Sequence, residues 1–289
     1  MVALAQVKPR LGDVQANLEM HLHYVERAQK EKAELVVFPE LSLTGYYLKD
    51  LVPAVAQRVG HSAVLAELER VSRDLDIVVG FVEEDERHRF YIAAAYMAQG
   101  ATRHAHRKVY LPTYGMFQDG RFFAAGDRLR AFDTRLIRTG LFICEDAWHL
   151  SSPYLLWMDG ADLLIEINAS PGYEVSGGRS TLGQAETVSR FNQVYAELLT
   201  CHLLFCNRVG LEDGATFWGG SAVFGPRGQI LAQAPLLEET LLVGEIDLDE
   251  VRRVRSRLPL LRDERLLTTL RELTRISWEK RWGEGSDRR

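Results

Sequence analysis

The chain has 289 residues, 46% hydrophobic and 26% charged, with a formal net charge of −5. Such a chain has ample length for a large core, and its acidic balance argues against a nucleic-acid-binding face. No apolar run approaches the roughly 18 residues that span a bilayer, and three cysteines give no disulfide framework. The N-terminal MVALAQVKPRLGD lacks the basic lead and long apolar run of a secretory signal, so the expectation is a reduced, cytoplasmic protein.

VALAQV opens as a strand. Asp13 is placed to cap a helix in which Val14, Leu18, Tyr24, Val25 and Ala28 fall near helical spacing. ELVVFPE is a short buried strand ended by a proline. Residues 61 to 75 read as an amphipathic helix through Val64, Leu65, Leu68, Val71 and Leu75, leading into the strand IVVGFVEE. YIAAAYMA and TRHAHRKVYL read as neighbouring strands joined through Gln99-Gly100. LIRTGLFIC is a strand, SPYLLWMDGA a helix, ADLLIEINAS a strand, TLGQAETVSRFNQVYAELLT a helix and CHLLFCNRV a strand. GGSAVFGPRGQILAQA is a hairpin turning at Gly-Pro-Arg-Gly. This alternation predicts an α/β protein with βαβ crossovers and hydrophobic strands covered on both faces. One domain is expected over residues 1 to 250, with a helical C-terminal extension over 251 to 289. Leu266, Leu267, Leu270, Leu273 and Ile276 share one helical face, expected to pack on the chain's own domain, with a subunit contact as the alternative.

Three strand ends carry side chains suited to chemistry. Glu40 follows a buried strand at the carboxyl end, where α/β sheets place their sites. Lys108 stands in RKVYLPTYG, and Cys144 ends a buried run in GLFICEDAWHL. Taken singly, Glu40 reads as a solvated loop acid, Lys108 as a surface charge and Cys144 as an apolar filler. Together they permit acyl transfer. A lysine ammonium would favour the thiolate and offset Glu145 and Asp146, while Glu40 would take the thiol proton. Lys108 and the backbone N–H of Glu145 would then hold an oxyanion. Spacing alone does not bring the three together.

FPELSLTGY, K-x-x-LPTYG-x-F and the strand-terminal CED-x-W resemble the three signature regions of the nitrilase, or carbon–nitrogen hydrolase, superfamily, in order over residues 2 to 248. The resemblance implies a four-layer α-β-β-α sandwich, assembly as dimers or larger homo-oligomers, and a Glu–Lys–Cys triad falling on Glu40, Lys108 and Cys144. Within the superfamily, CEDAW, NASP and LPTYG-x-F-x-x-x-RFF resemble the glutamine-amidotransferase domain of glutamine-dependent NAD synthetases. That branch implies a glutamine pocket lined by Tyr46 and Tyr114, with Ser170 and Arg179 on the substrate's α-carboxylate. It implies no metal and no organic cofactor. Two features depart from the branch. Asp119 stands where a glutamate is usual, in a supporting position beside the lysine, and the 172–182 loop is longer and richer in glycine.

The ATP-using second domain of such synthetases is not matched in this sequence. SGGRS at 176 to 180 lacks the aspartate of a pyrophosphate loop and reads as an active-site loop. Three functions remain open: a glutaminase feeding a separate ATP-using synthetase, a hydrolase of another small amide or N-carbamoyl compound, and an ammonia-supplying subunit active only when docked. Cys201, His202 and Cys206 read as core filling, since alternate strand residues face opposite ways. His104 and His106 read as partly solvated neighbours of Lys108. A Cys144–His149 pair is the weaker alternative to the triad.

Overall fold

The structure is a computed structural model and describes residues 1–172 and 183–283. The first half runs β1 (Val2–Gln6), α1 (Val14–Lys30), β2 (Leu35–Val37), the short α2 (Val52–Val55), α3 (Ala63–Val71), β3 (Asp76–Glu84), β4 (Phe90–Ala98) and β5 (Ala101–Arg107). After the one-turn α4 (Asp119–Phe122) come β6 (Phe132–Asp133), β7 (Arg138–Ile143), α5 (Ser151–Met158), β8 (Leu163–Asn168), α6 (Gly183–Leu198) and β9 (His202–Asn207). Strands β10 (Val209–Glu212), β11 (Ala215–Trp218), β12 (Ala222–Phe224), β13 (Ile230–Gln233) and β14 (Thr240–Gly244) follow, then α7 (Leu248–Arg257), α8 (Leu260–Asp263) and α9 (Leu266–Gly283).

Two six-stranded sheets result, ordered β14-β1-β2-β3-β4-β5 and β13-β12-β9-β8-β7-β6. Each has three parallel strands, β1-β2-β3 and β7-β8-β9, joined through helical crossovers. The alternation of side chains along a strand builds the layers. Leu163, Ile165 and Ile167 of β8 meet Val2, Leu4, Leu35 and Val37 in a core between the sheets. Leu164 faces the other way, onto Leu156 and Trp157 of α5 and Val188 and Tyr195 of α6. On the first sheet, Ala3, Val36, Ile77 and Val79 face Leu18 and Val25 of α1 and Leu65 and Leu68 of α3. The architecture is a four-layer α-β-β-α sandwich, and each fully buried Leu or Ile contributes roughly 1.5–3 kcal/mol. Helix starts follow local chemistry: Asp13 accepts from the Ala16 N–H at 3.0 Å, and Ser62 from the Leu65 N–H at 3.1 Å.

Several elements differ from the sequence reading. The 61–75 helix shortens to Ala63–Val71 behind its serine cap. The β10–β11 hairpin and β14 were not expected. β14 pairs antiparallel with β1, Leu4 opposite Leu242, so the end of the sandwich closes on its first strand. Helix α7 docks through buried Val251 and Val254, and Arg255 bonds Asp162 and the Ala161 carbonyl. Helix α9 corrects its expectation. Leu266, Leu267, Leu270, Leu273 and Ile276 do not pack on their own domain, and Leu267 is 81% exposed.

Gly80 of β3 lies against the loop that follows β2. A Cβ there would stand 2.4 Å from the Pro39 carbonyl oxygen, 2.6 Å from the Leu41 nitrogen and 2.9 Å from the Glu40 Cα. Only glycine lets that loop lie flat on the strand. Gly80→Ala is expected to cost about 1–3 kcal/mol in thermal or urea unfolding and to displace Glu40. Unchanged stability would show that the loop yields freely.

Candidate active site

Glu40, Lys108 and Cys144 lie where strand ends of the two sheets converge. Glu40 follows β2 through Phe38-Pro39 and is fully buried, which overturns its lone reading as a solvated acid. Lys108 lies one residue past β5, its N–H still bonding the Ile92 carbonyl at 2.8 Å. Cys144 opens a 3-10 turn, Cys144–Trp148, directly after β7. Leu41 and Cys144 have φ of 51° and 48°, left-handed conformations that non-glycine residues keep only where the surroundings impose them.

The buried Lys108 ammonium donates to Glu40 Oε1 and to Asp119 Oδ2, each at 2.8 Å. Glu40 Oε2 accepts from the Ala169 N–H at 2.8 Å, which ties the first sheet's loop to the end of β8. Asp119 Oδ1 accepts from the Tyr46 hydroxyl at 2.6 Å. A shorter aspartate therefore reaches the lysine in the position where glutamate is usual. Glu212 holds the Tyr46 loop from behind. Its Oε1 accepts from the Tyr46 and Tyr47 N–H groups at 2.7 and 2.8 Å, and its Oε2 from buried Arg208 at 2.8 Å.

Burial pushes the Cys144 thiol well above its usual value; Glu40, Asp119 and Glu145 add to the rise, and Lys108 opposes it. Lys108 favours the thiolate, as expected, and outweighs Glu145, but burial above all, with Glu40 and Asp119, keeps the thiol raised. Burial works against the ammonium too, yet Asp119 and Glu40 outweigh it and hold Lys108 charged. Burial also raises Glu40, with Lys108 opposing.

Asp146 does not act on the thiol. Its Oδ1 accepts from the Val109 and Tyr110 N–H groups at 2.9 and 3.0 Å; its Oδ2 accepts from the Ile143 N–H at 3.0 Å and faces His106 Nε2 at 2.9 Å. One carboxylate thus clamps the segment after Lys108 to the residue before Cys144. His106 is buried in this clamp rather than partly solvated, and His104 stacks on Phe132 with centroids 4.1 Å apart. His149 stacks on Tyr110 at 3.6 Å and turns towards Glu145. Cys201, His202 and Cys206 are buried; His202 Nε2 faces the Asp247 carbonyl at 3.0 Å, and Cys206 donates to the Val37 carbonyl at 3.2 Å. Among the described residues, no group of three or more His, Cys, Asp or Glu is placed to hold a metal ion.

Tyr114 is 58% exposed, and its hydroxyl donates to buried Glu145 at 2.9 Å. Ser170 is buried; its N–H donates to Asn207 Oδ1 at 2.9 Å, and its hydroxyl oxygen accepts from Asn168 at 3.1 Å. Arg179 and the SGGRS stretch lie outside the described residues. The Asp146 clamp with His106 in it, Ala169 and the Arg208–Glu212 pair were missed by the sequence reading. For Asp146 the available signal was an aspartate two residues after a strand end, a turn-capping position.

The carbon-nitrogen hydrolase family model matches residues 1–256. The chain belongs to that family. The glutamine-dependent NAD(+) synthetase of Acinetobacter baylyi is 31% identical over 253 residues, which are 87% of this chain and 45% of the synthetase. The chain thus spans less than half the length of that relative. The N-carbamoylputrescine amidase of Oryza sativa subsp. japonica is 27% identical over 91% of this chain and 92% of its own. A solved mutant of the amidase from Nesterenkonia sp. AN1, showing Michael addition of acrylamide at its active-site cysteine, aligns with TM-score 0.74 and 25% identity. That alignment covers 89% of this chain and 97% of the amidase.

Two measurements test the site's physics. Alkylation of the Cys144 peptide, followed by mass spectrometry, should rise about tenfold per pH unit up to the usual thiol value of 9.0 without levelling off. A plateau below that value would contradict the raised thiol. Asp146→Asn replaces an acceptor oxygen by an amide donor and strands buried N–H groups, so it should cost about 1–3 kcal/mol in unfolding and slow turnover.

Proposed function

We propose that the chain hydrolyses the side-chain amide of glutamine through a thioester on Cys144. The observation that carries this reading is the buried chain Ala169–Glu40–Lys108–Asp119–Tyr46 set beside the cysteine. Because the resting thiol is neutral, attack needs a base. Glu40, itself raised by burial, is a carboxylate moved towards that task. As the sulfur bonds the amide carbon, the thiol proton passes to Glu40 and the carbonyl electrons move onto oxygen. The oxyanion meets the third Lys108 N–H, the other two being engaged by Glu40 and Asp119, together with the Glu145 backbone N–H. Collapse breaks the C–N bond, and Glu40 returns its proton to the departing ammonia. Water then attacks the thioester, giving a proton to Glu40 that restores the thiol as the carboxylic product leaves.

Glutamine is favoured over a plain aliphatic amide by the charge around the cysteine. The buried Glu145 carboxylate would suit an α-ammonium group, while Ser170 and Arg179 would take the α-carboxylate. Tyr46 and Tyr114 would line the pocket between them. A small-amide or N-carbamoyl substrate is the second reading, favoured by the amidase relatives that match over nearly their whole length. The ammonia would pass to an ATP-using synthetase on another chain. The exposed apolar face of α9 would serve homo-oligomer or synthetase contact, or the docking that an ammonia-supplying subunit inert alone would require. The catalytic unit is assigned to residues 1–250, and the protein is placed in the cytoplasm.

Ammonia release is to be measured with glutamine, asparagine and a panel of amides and carbamoyl compounds. Cys144→Ala should lower turnover by roughly four orders of magnitude or more while leaving the fold intact. Glu40→Gln and Lys108→Met should each lower it by roughly two to four orders. Appreciable turnover by Cys144→Ala removes the thioester; release from another amide but not glutamine moves the enzyme to the second reading.

A further inference from the structure

On the outer face of β8, beneath the site, lies a polar group that the hydrolytic steps do not use. Glu166 and Asn168 sit two residues apart on β8, and Asn192 reaches them from α6; all three are fully buried. Both carboxylate oxygens of Glu166, Asn168 Oδ1, and Asn192 Oδ1 and Nδ2 lack a hydrogen-bond partner. If Glu166 is ionised, four acceptor oxygens face the two N–H groups of Asn192 and the one N–H of Asn168 not given to Ser170. Leaving such groups unpaired inside a protein costs of order 1–3 kcal/mol each. A carboxylic proton turns one acceptor into a donor and lets the group close.

We propose that Glu166 stands as a neutral carboxylic acid, accepts from Asn192 Nδ2 and donates to Asn168 Oδ1, and so acts as a positioning residue for Ser170. The consequence follows from one observed bond. Asn168 Nδ2 donates to the Ser170 hydroxyl oxygen at 3.1 Å, so that hydroxyl keeps its own proton to donate. With its amide oxygen held by Glu166, Asn168 does not flip, and Ser170 stays a donor towards a carboxylate or carbonyl oxygen. This rests on reading Ser170 as a substrate contact.

The surroundings agree. Burial raises the Glu166 acid to about 8, Asn192 and Asn168 pull against the rise, and Asp146 and Glu40 add to it. Asp146 faces Glu166 from the turn after β7, Glu40 from the loop after β2, and Tyr195 from α6. The sign is fixed: an acid with a raised folded value carries no penalty below its ordinary value of 4.5, and the penalty grows as pH climbs towards 8.

The test uses the full chain with Glu166→Gln and Glu166→Leu. Glutamine keeps an N–H donor and a carbonyl acceptor without the charge. Its melting temperature should therefore exceed wild type by a margin that widens from pH 5 to pH 8, and its KM should stay within about threefold. Glu166→Leu frees Asn168 and should raise KM about tenfold with kcat less affected, while Cys144 alkylation is unchanged. A Glu166→Gln margin that shrinks or turns negative towards pH 8 would overturn the proposal, because it would mean an ionised, solvated Glu166. An unaltered KM in Glu166→Leu would overturn the link to Ser170. The unfolding comparison needs no substrate, so failure of wild type to hydrolyse glutamine sinks the functional reading without touching this one.

Discussion

The site is organised around one ammonium group kept from water. A buried Lys108 would be expelled or neutralised unless opposite charge came to meet it, and two carboxylates do, Glu40 and Asp119 at 2.8 Å each. Those two impose demands of their own. Glu40 takes the Ala169 N–H, and Asp119 takes the Tyr46 hydroxyl, whose loop hangs on Glu212 and buried Arg208. Satisfying one cation therefore fixes segments after β2, β5 and β8 and the turn of α4. Burial above all, with two acids against one base, keeps the neighbouring thiol protonated.

A second constraint is made of backbone. Asp146 gathers N–H groups on both sides of the cleft, so the turn bearing Cys144 and the segment after Lys108 cannot drift apart without stranding donors. The strained φ of Cys144 persists under this grip. Gly80 supplies the matching surface for Glu40. The sheets themselves are ordinary; their contribution is to bring several strand ends to one place and to bury them between helical layers.

Much of the sandwich was legible because strand and helix periods are strong where burial is two-sided. VALAQV, IVVGFVEE, LIRTGLFIC and ADLLIEINAS all form strands, and Asp13 caps its helix. The β10–β11 pair and β14 escaped notice because VGLE, ATFW and TLLVG are short, partly exposed and placed by pairing partners distant in sequence. The strand ends bearing Glu40, Lys108 and Cys144 could be found through motif resemblance, but their charge balance could not. That balance depends on Asp119 arriving eleven residues after Lys108 and on Glu40 arriving from the first sheet. Likewise Asp146 looked like a like-charged neighbour of the cysteine. Only its fourfold engagement shows that its charge points away. The leucine face of α9 had the right period for packing, but period states which residues share a face, not what covers it.

The protonated thiol has a consequence for how the protein ages. Peroxide attacks thiolate, and the buried Cys144 holds very little of it at neutral pH. On the proposed mechanism, a nucleophile created only as an acyl group arrives is shielded between turnovers from the sulfenic and sulfinic damage that a standing thiolate invites. The same burial and acids that keep the thiol neutral thus make it durable, and chemical longevity is built into the pocket.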